Sequence, residues 1–131
     1  MKITALLAEN KPILSFEVFP PKTESGFDSV RTATEEIAAL HPAFMSVTYG
    51  AGAYTLDIAE NIKARYGVPT LAHLTCVSST HETVRERIAA IRSRGIENVM
   101  ALRGDVPPEL RDADRSGWDY HYAAELVREL R

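Results

Sequence analysis

The sequence predicts an α/β fold whose sheet is parallel and built from four βα units. Three observations carry that expectation. Four short apolar runs begin at Ile13, Ala43, Thr70 and Glu97, so their starts lie 30, 27 and 27 residues apart, the length of a strand, a helix and two loops. Helical periodicity fills the intervals, with Val30, Ala33, Ile37 and Leu40 making one apolar stripe and Val84, Ile88 and Ile91 another. Connections of this length suit adjacent parallel strands joined by right-handed crossovers. Two architectures satisfy the pattern, an open doubly wound sheet and part of a (β/α)₈ barrel, and the spacing alone leaves both open.

The first strand is expected in ILSFEVF, where Leu14, Phe16 and Val18 share one face and Ser15 and Glu17 the other. Pro20 and Pro21 cannot donate to a ladder and end it, which leaves Glu17 near the carboxyl end of an otherwise apolar strand. The second strand is expected in AFMSVTY, the third in TLAHLTCV and the fourth in ENVMALRG. Gly67 and Gly95 stand where a left-handed residue would close the second and third helices, and Ser79 with Glu82 has the spacing of a capping box for the third. The polar stretch from Pro107 to Asp119 is expected to loop over the carboxyl edge, and YHYAAELVRELR to begin a fourth helix.

Composition narrows the function classes. A chain of 131 residues, 45% hydrophobic, suits one domain, and a net charge of −3 offers no footprint for nucleic acid. The single Cys76 allows no intramolecular disulfide and reads as a small buried hydrophobe. The start, MKITALLAENK, is interrupted by charge too early for a signal peptide or a membrane span, so the expected location is cytoplasmic, with no membrane partner. By the same reading the RGD triplet at 103–105 is no adhesion motif. His41, His81 and His121 lack metal-ligand spacing, and the glycines of TYGAGAY do not form a dinucleotide fingerprint.

In a parallel α/β sheet the carboxyl ends of all strands meet at one edge, so late polar residues from different strands converge. Here they are Glu17 from the first strand, Thr48 in phase with Ser46 from the second, His73 and Thr75 sharing a face of the third, and Arg103 and Asp105 sharing a face of the fourth. The ordinary alternatives are a solvated strand-end carboxylate, a hydrogen-bonded core histidine, and an Arg103–Asp105 ion pair.

The stretches SFEVFPPKTESG, FMSVTYGAG, HLTCVSST and GIENVMALRGDVPP, in this order through nearly the whole chain, resemble the N-terminal half of methylenetetrahydrofolate reductases. The resemblance implies four βα units forming the N-terminal half of a (β/α)₈ TIM barrel, with residues 1–131 a single partial domain. It implies FAD at the carboxyl face, NAD(P)H as cosubstrate, and reduction of 5,10-methylenetetrahydrofolate to 5-methyltetrahydrofolate. Glu17 then matches the general acid that protonates the departing nitrogen as the folate's five-membered ring opens. A flavin-covered, partly apolar position beside Phe16 and Phe19 would raise the pKa of that carboxyl. Asp105 matches the aspartate near flavin and pterin that steadies the cationic intermediate. Thr48, His73, Leu102, Arg103, Gly104 and Asp105 match flavin-contacting positions, and Tyr122 and Ala123 resemble a further pair.

Two departures from the family pattern bear on this. Gly52 is followed by Ala53 where paired glycines are common, and four βα units stand where eight are expected. A half barrel leaves edges unpaired. The chain is therefore expected either to act weakly or not at all alone, or to complete itself with a second half or a second copy.

Overall fold

The computed structural model describes residues 1–50 and 54–131. Its strands are β1 (Ser15–Val18), β2 (Phe44–Val47), β3 (Thr70–Thr75) and β4 (Asn98–Leu102), and its α-helices α1 (Ile3–Ala8), α2 (Phe27–Ala38), α3 (Tyr54–Tyr66), α4 (His81–Ser93) and α5 (Ala123–Leu130). The four strands form one parallel sheet in the order β1-β2-β3-β4. A doubly wound sheet reverses its order at a switch point and carries helices on both faces; strands laid down in sequence, with helices against one face, are the winding of a barrel. The fold is thus the N-terminal half of a (β/α)₈ arrangement, as expected.

Strand register sorts the side chains into two faces. Val18, Met45, Val47, Ala72 and Leu74 lie on one face, all buried, and pack against Ile58, Ala59 and Ile62 of α3, Val84, Ile88 and Ile91 of α4, and Leu126 of α5. Each of the Val, Leu, Ile and Met side chains contributes about 1.5–3 kcal/mol by leaving water. The opposite face carries Glu17, Ser46, Leu71, His73, Thr75, Met100 and Leu102, by the same register. In a closed barrel this face is the interior. Here Met100 is 39% exposed on it. Among the described residues, β1 and β4 each pair on one side only.

Helix ends follow the chemistry of their residues. Gly67 and Gly95 take φ of +66° and +64°, and after α4 the Ile96 N–H reaches the Ile91 carbonyl while Gly95 N–H reaches that of Arg92, the two bonds of a Schellman ending. The start of α4 differs from the expected Ser79–Glu82 box. Thr80 is the cap, its hydroxyl accepting from Thr83 N–H at 3.2 Å. Ser79 is engaged elsewhere: its hydroxyl accepts from Arg87 Nη1 at 2.9 Å.

One other expectation is corrected. The buried stripe of α2 runs through Val30, Thr34, Ile37 and Ala38, while Ala33 points to solvent and Leu40, past the helix end, is 62% exposed. The start of the chain forms α1, held at the amino edge of the sheet by Asn98, whose Oδ1 accepts from Ile3 N–H at 2.9 Å and whose Nδ2 donates to the Thr70 carbonyl at 3.1 Å. No helix among the described residues is long and apolar enough to cross a membrane.

Candidate functional site

Register brings Glu17 opposite Ser46, and places His73 on the same face one strand further along. The Ser46 hydroxyl donates to Glu17 Oε2 at 3.3 Å, and His73 Nε2 lies 3.6 Å from that same oxygen. The second distance is too long for a hydrogen bond. His73 is 8% exposed, and its Nε2 has no hydrogen-bond partner among the described residues. An orphaned imidazole nitrogen at that depth is costly unless a further group completes it.

The setting of Glu17 departs from the expected apolar one. Its side chain is 46% exposed. Phe16 alternates to the helix-covered face, and Phe19, beyond the strand, is 69% exposed. What surrounds the carboxylate is polar: Ser46 and His73, on the open face of the sheet.

The remaining candidates sit at or beyond the carboxyl ends of the strands. Thr48 follows β2, its N–H donating to the Val18 carbonyl at 3.0 Å and its carbonyl accepting from the Thr55 hydroxyl at 2.9 Å. Leu102 ends β4 on the same face as Thr75. Arg103 and Asp105 do not share a strand face, because β4 stops at Leu102 and Gly104 turns the chain with φ of +86°. Nor do they pair: Arg103 Nε donates instead to the Gly104 carbonyl at 3.1 Å, and among the described residues Asp105 joins no ion pair. The turn is tied to the third strand's end, where Val77 N–H donates to the Arg103 carbonyl at 2.7 Å. Tyr122 caps α5 and is 71% exposed, and Ala123 opens that helix. The expected departure at Gly52–Ala53 lies outside the described residues.

The structure therefore joins Glu17, Ser46 and His73 directly and sets Thr48, Arg103, Gly104 and Asp105 along the same edge. It adds Tyr49 and Arg87, which the sequence pattern did not single out. Tyr49 and His73 line a cleft of about 480 Å³ between α3 and α4, with Leu56, Arg87 and Ile91 among its walls. Arg87 lies over the Tyr49 ring, 5.4 Å from its centroid, and both also line a smaller hollow with Ser79 and Pro107. The signal for Arg87 was present as its place one residue before Ile88, at the border of the α4 stripe. Cys76 is fully buried, and burial, followed by the charge of Glu125, pushes its thiol pKa up, so it behaves as a small apolar side chain. No group of three or more metal-ligating side chains occurs among the described residues.

This edge can do three things chemically. It offers a carboxyl held by a hydroxyl, an imidazole nitrogen awaiting a partner, and a glycine turn that presents backbone and an acidic side chain beyond it. The chain is similar to known proteins along its whole length. The methylenetetrahydrofolate reductase family model matches residues 2–131. A rice protein named probable methylenetetrahydrofolate reductase (NADH) is 36% identical over 134 residues, covering 99% of the chain and 23% of that protein. Methylenetetrahydrofolate reductase (NADH) 1 of Arabidopsis thaliana is 38% identical over 110 residues, 81% of the chain and 19% of that protein. The 5,10-methylenetetrahydrofolate reductase of Pectobacterium carotovorum is 37% identical over 122 residues, 90% of the chain. The chain spans 39% of the length of that bacterial relative and less of the plant ones.

Proposed function

The chain belongs to the methylenetetrahydrofolate reductase family, and from that premise we propose that its carboxyl edge is part of an FAD-dependent site reducing 5,10-methylenetetrahydrofolate to 5-methyltetrahydrofolate. The donor is a reduced nicotinamide, a choice supported by the NADH in the names of the two plant relatives. The setting is cytoplasmic, and the partners are small molecules, with no nucleic acid or membrane involved.

The observation that carries this reading is the shared Glu17 Oε2, flanked by Ser46 Oγ and by a buried His73 Nε2 that has no hydrogen-bond partner among the described residues. The residues present fit a flavin. His73 Nε2, unpaired among the described residues, can meet a polar group on it, Thr48 and Arg103 supply a hydroxyl and a guanidinium for its ribityl chain and pyrophosphate, and Leu102 offers an apolar surface. Tyr122 and Ala123 supply a further contact at the start of α5. Bound FAD would supply the hydride chemistry.

Glu17 then holds the proton that goes to the departing folate nitrogen, and cleavage of the bond between that nitrogen and the methylene carbon opens the ring to a 5-iminium cation ready for reduction. Ser46 fixes one oxygen of the carboxyl and leaves the other free to carry the proton. Asp105, negative and outside any ion pair among the described residues, stabilises the cation.

A second reading draws on the open face of the sheet and its two single-sided edge strands. On that reading the chain is an inactive half barrel until a second half, or a second copy, covers the interior. One preparation tests both. Titration with FAD, followed near 450 nm, is expected to give saturable binding, with a mass by light scattering of 14.5 kDa for a lone chain or double that for a self-completed barrel. A chain that binds no FAD at either mass counts against the reductase site and leaves the inactive half barrel.

A further inference from the structure

A second polar cluster joins the start of α4 to the approach and the last turn of α5, apart from Glu17 and His73. His81, the first residue of α4, places Nδ1 3.0 Å from the Tyr120 hydroxyl and 2.9 Å from Glu129 Oε1. A carboxylate only accepts, so Glu129 selects the tautomer with the proton on Nδ1. The backbone N–H of His81 donates to Asp119 Oδ2 at 2.8 Å, which satisfies one of the donors a helix N-terminus leaves open. The His81 and Tyr120 rings meet edge to face with centroids 4.8 Å apart. Arg85, one turn along α4, donates Nε to Glu129 Oε2 at 3.4 Å.

These contacts grip the chain on both sides of the start of α5. Tyr120 is 1% exposed, and burial, followed by the charge of Glu129, pushes its phenol up to about 12. It is a neutral hydroxyl at neutral pH. Burial would raise the Glu129 carboxyl, but the bonds from His81 and Arg85 outweigh it and hold the carboxyl below its usual range. Between these anchors lie Tyr122 and Ala123. The Tyr122 side chain is mostly in water, and its backbone N–H, with that of His121, is held by the Glu125 carboxylate at 2.8 and 2.6 Å. The place of this pair is set by its neighbours.

We propose that His81, Tyr120 and Glu129 are positioning residues that hold α5 against the start of α4 from just before its first turn and from its last turn, and so present Tyr122 and Ala123 at the carboxyl edge. The proposal rests on the reading of Tyr122 and Ala123 as flavin contacts. None of the three residues needs to touch the cofactor.

The test reads hydrogen exchange over residues 119–130 without flavin, and FAD affinity on the same preparations, for His81→Ala, Tyr120→Phe and His81→Asn. Asparagine places an amide nitrogen near the position of Nδ1 and keeps a donor for Glu129. His81→Ala and Tyr120→Phe are expected to speed exchange in this segment about fivefold or more, with sheet amides unchanged, and to weaken FAD binding roughly five- to tenfold, the size of one lost net hydrogen bond. His81→Asn is expected to recover most of both. Unchanged exchange in His81→Ala overturns the positioning role. Faster exchange with FAD affinity within twofold of the parent overturns the link to the cofactor. A parent that binds no FAD fails the reading of the site and removes that link with it. This outcome is distinguishable from failure of the latch because exchange is measured without flavin.

Discussion

Glu17→Gln is expected to slow the reduction of 5,10-methylenetetrahydrofolate by about 10²- to 10⁴-fold, the usual contribution of a positioned general acid, while flavin reduction by the nicotinamide stays within a few fold. The asymmetry follows from the site. Glutamine retains the shape of the side chain and an oxygen to accept from Ser46, whose hydroxyl now bonds Glu17 Oε2 at 3.3 Å. It lacks a proton to give. Anaerobic single turnovers with protein in excess, followed at 450 nm, separate the two half-reactions and keep a slow parent rate measurable. A loss below about threefold in the folate half-reaction would remove Glu17 from the role.

Gly104→Ala is expected to destabilise the chain by about 2–5 kcal/mol. Two causes add. At φ of +86° an L side chain costs about 1–2 kcal/mol. The added Cβ would also stand 2.8 Å from Val77 Cγ1 and 3.0 Å from Thr75 Cβ, an overpacking that costs roughly 1–3 kcal/mol. Gly67→Ala is the internal control, since its φ is +66° but nothing among the described residues lies within 4 Å of the added atom. Urea midpoints should therefore fall further for Gly104→Ala than for Gly67→Ala by the overpacking alone. Equal losses would mean that Val77 and Thr75 yield without cost. The consequence reaches the site, because this glycine aims Arg103 and Asp105.

Much of the fold was legible because local and global signals agreed. The recurring apolar runs, the stripe of Val84, Ile88 and Ile91, and the glycines at 67 and 95 each report backbone geometry through residue type, and each reappears as a buried face or a left-handed turn. The choice between barrel and open sheet was not legible from period alone, since both use the same βα unit; strand order decided it. Helix α1 was invisible because six residues carry little periodicity, and Asn98, far along the chain, holds it. Thr80 displaced Ser79 as cap because Arg87 claims the Ser79 hydroxyl, a tertiary contact with no local signature.

The candidate site divides in the same way. Strand phase foretold that Glu17, Ser46, His73 and Thr75 would share a face, because alternation is fixed by the pleat. Phase failed at Arg103 and Asp105, where the chain leaves β4 and Gly104 breaks the alternation. The apolar setting expected for Glu17 also failed. The same alternation that turns Glu17 inward turns Phe16 outward, so a neighbour in sequence became a residue on the other face. The His81, Tyr120 and Glu129 cluster joins positions 39 and 48 residues apart, a spacing to which no motif corresponds.

The most direct test is a ¹⁵N-labelled amide spectrum of the chain recorded during titration with FAD. Saturable shifts are expected at Thr48, His73, Arg103, Gly104, Asp105 and Ala123, with little change at Gly67, Gly95 and Asn98 on the amino side of the sheet. Shifts confined to that amino side, or none as FAD approaches millimolar concentration, would contradict a flavin site on the carboxyl edge.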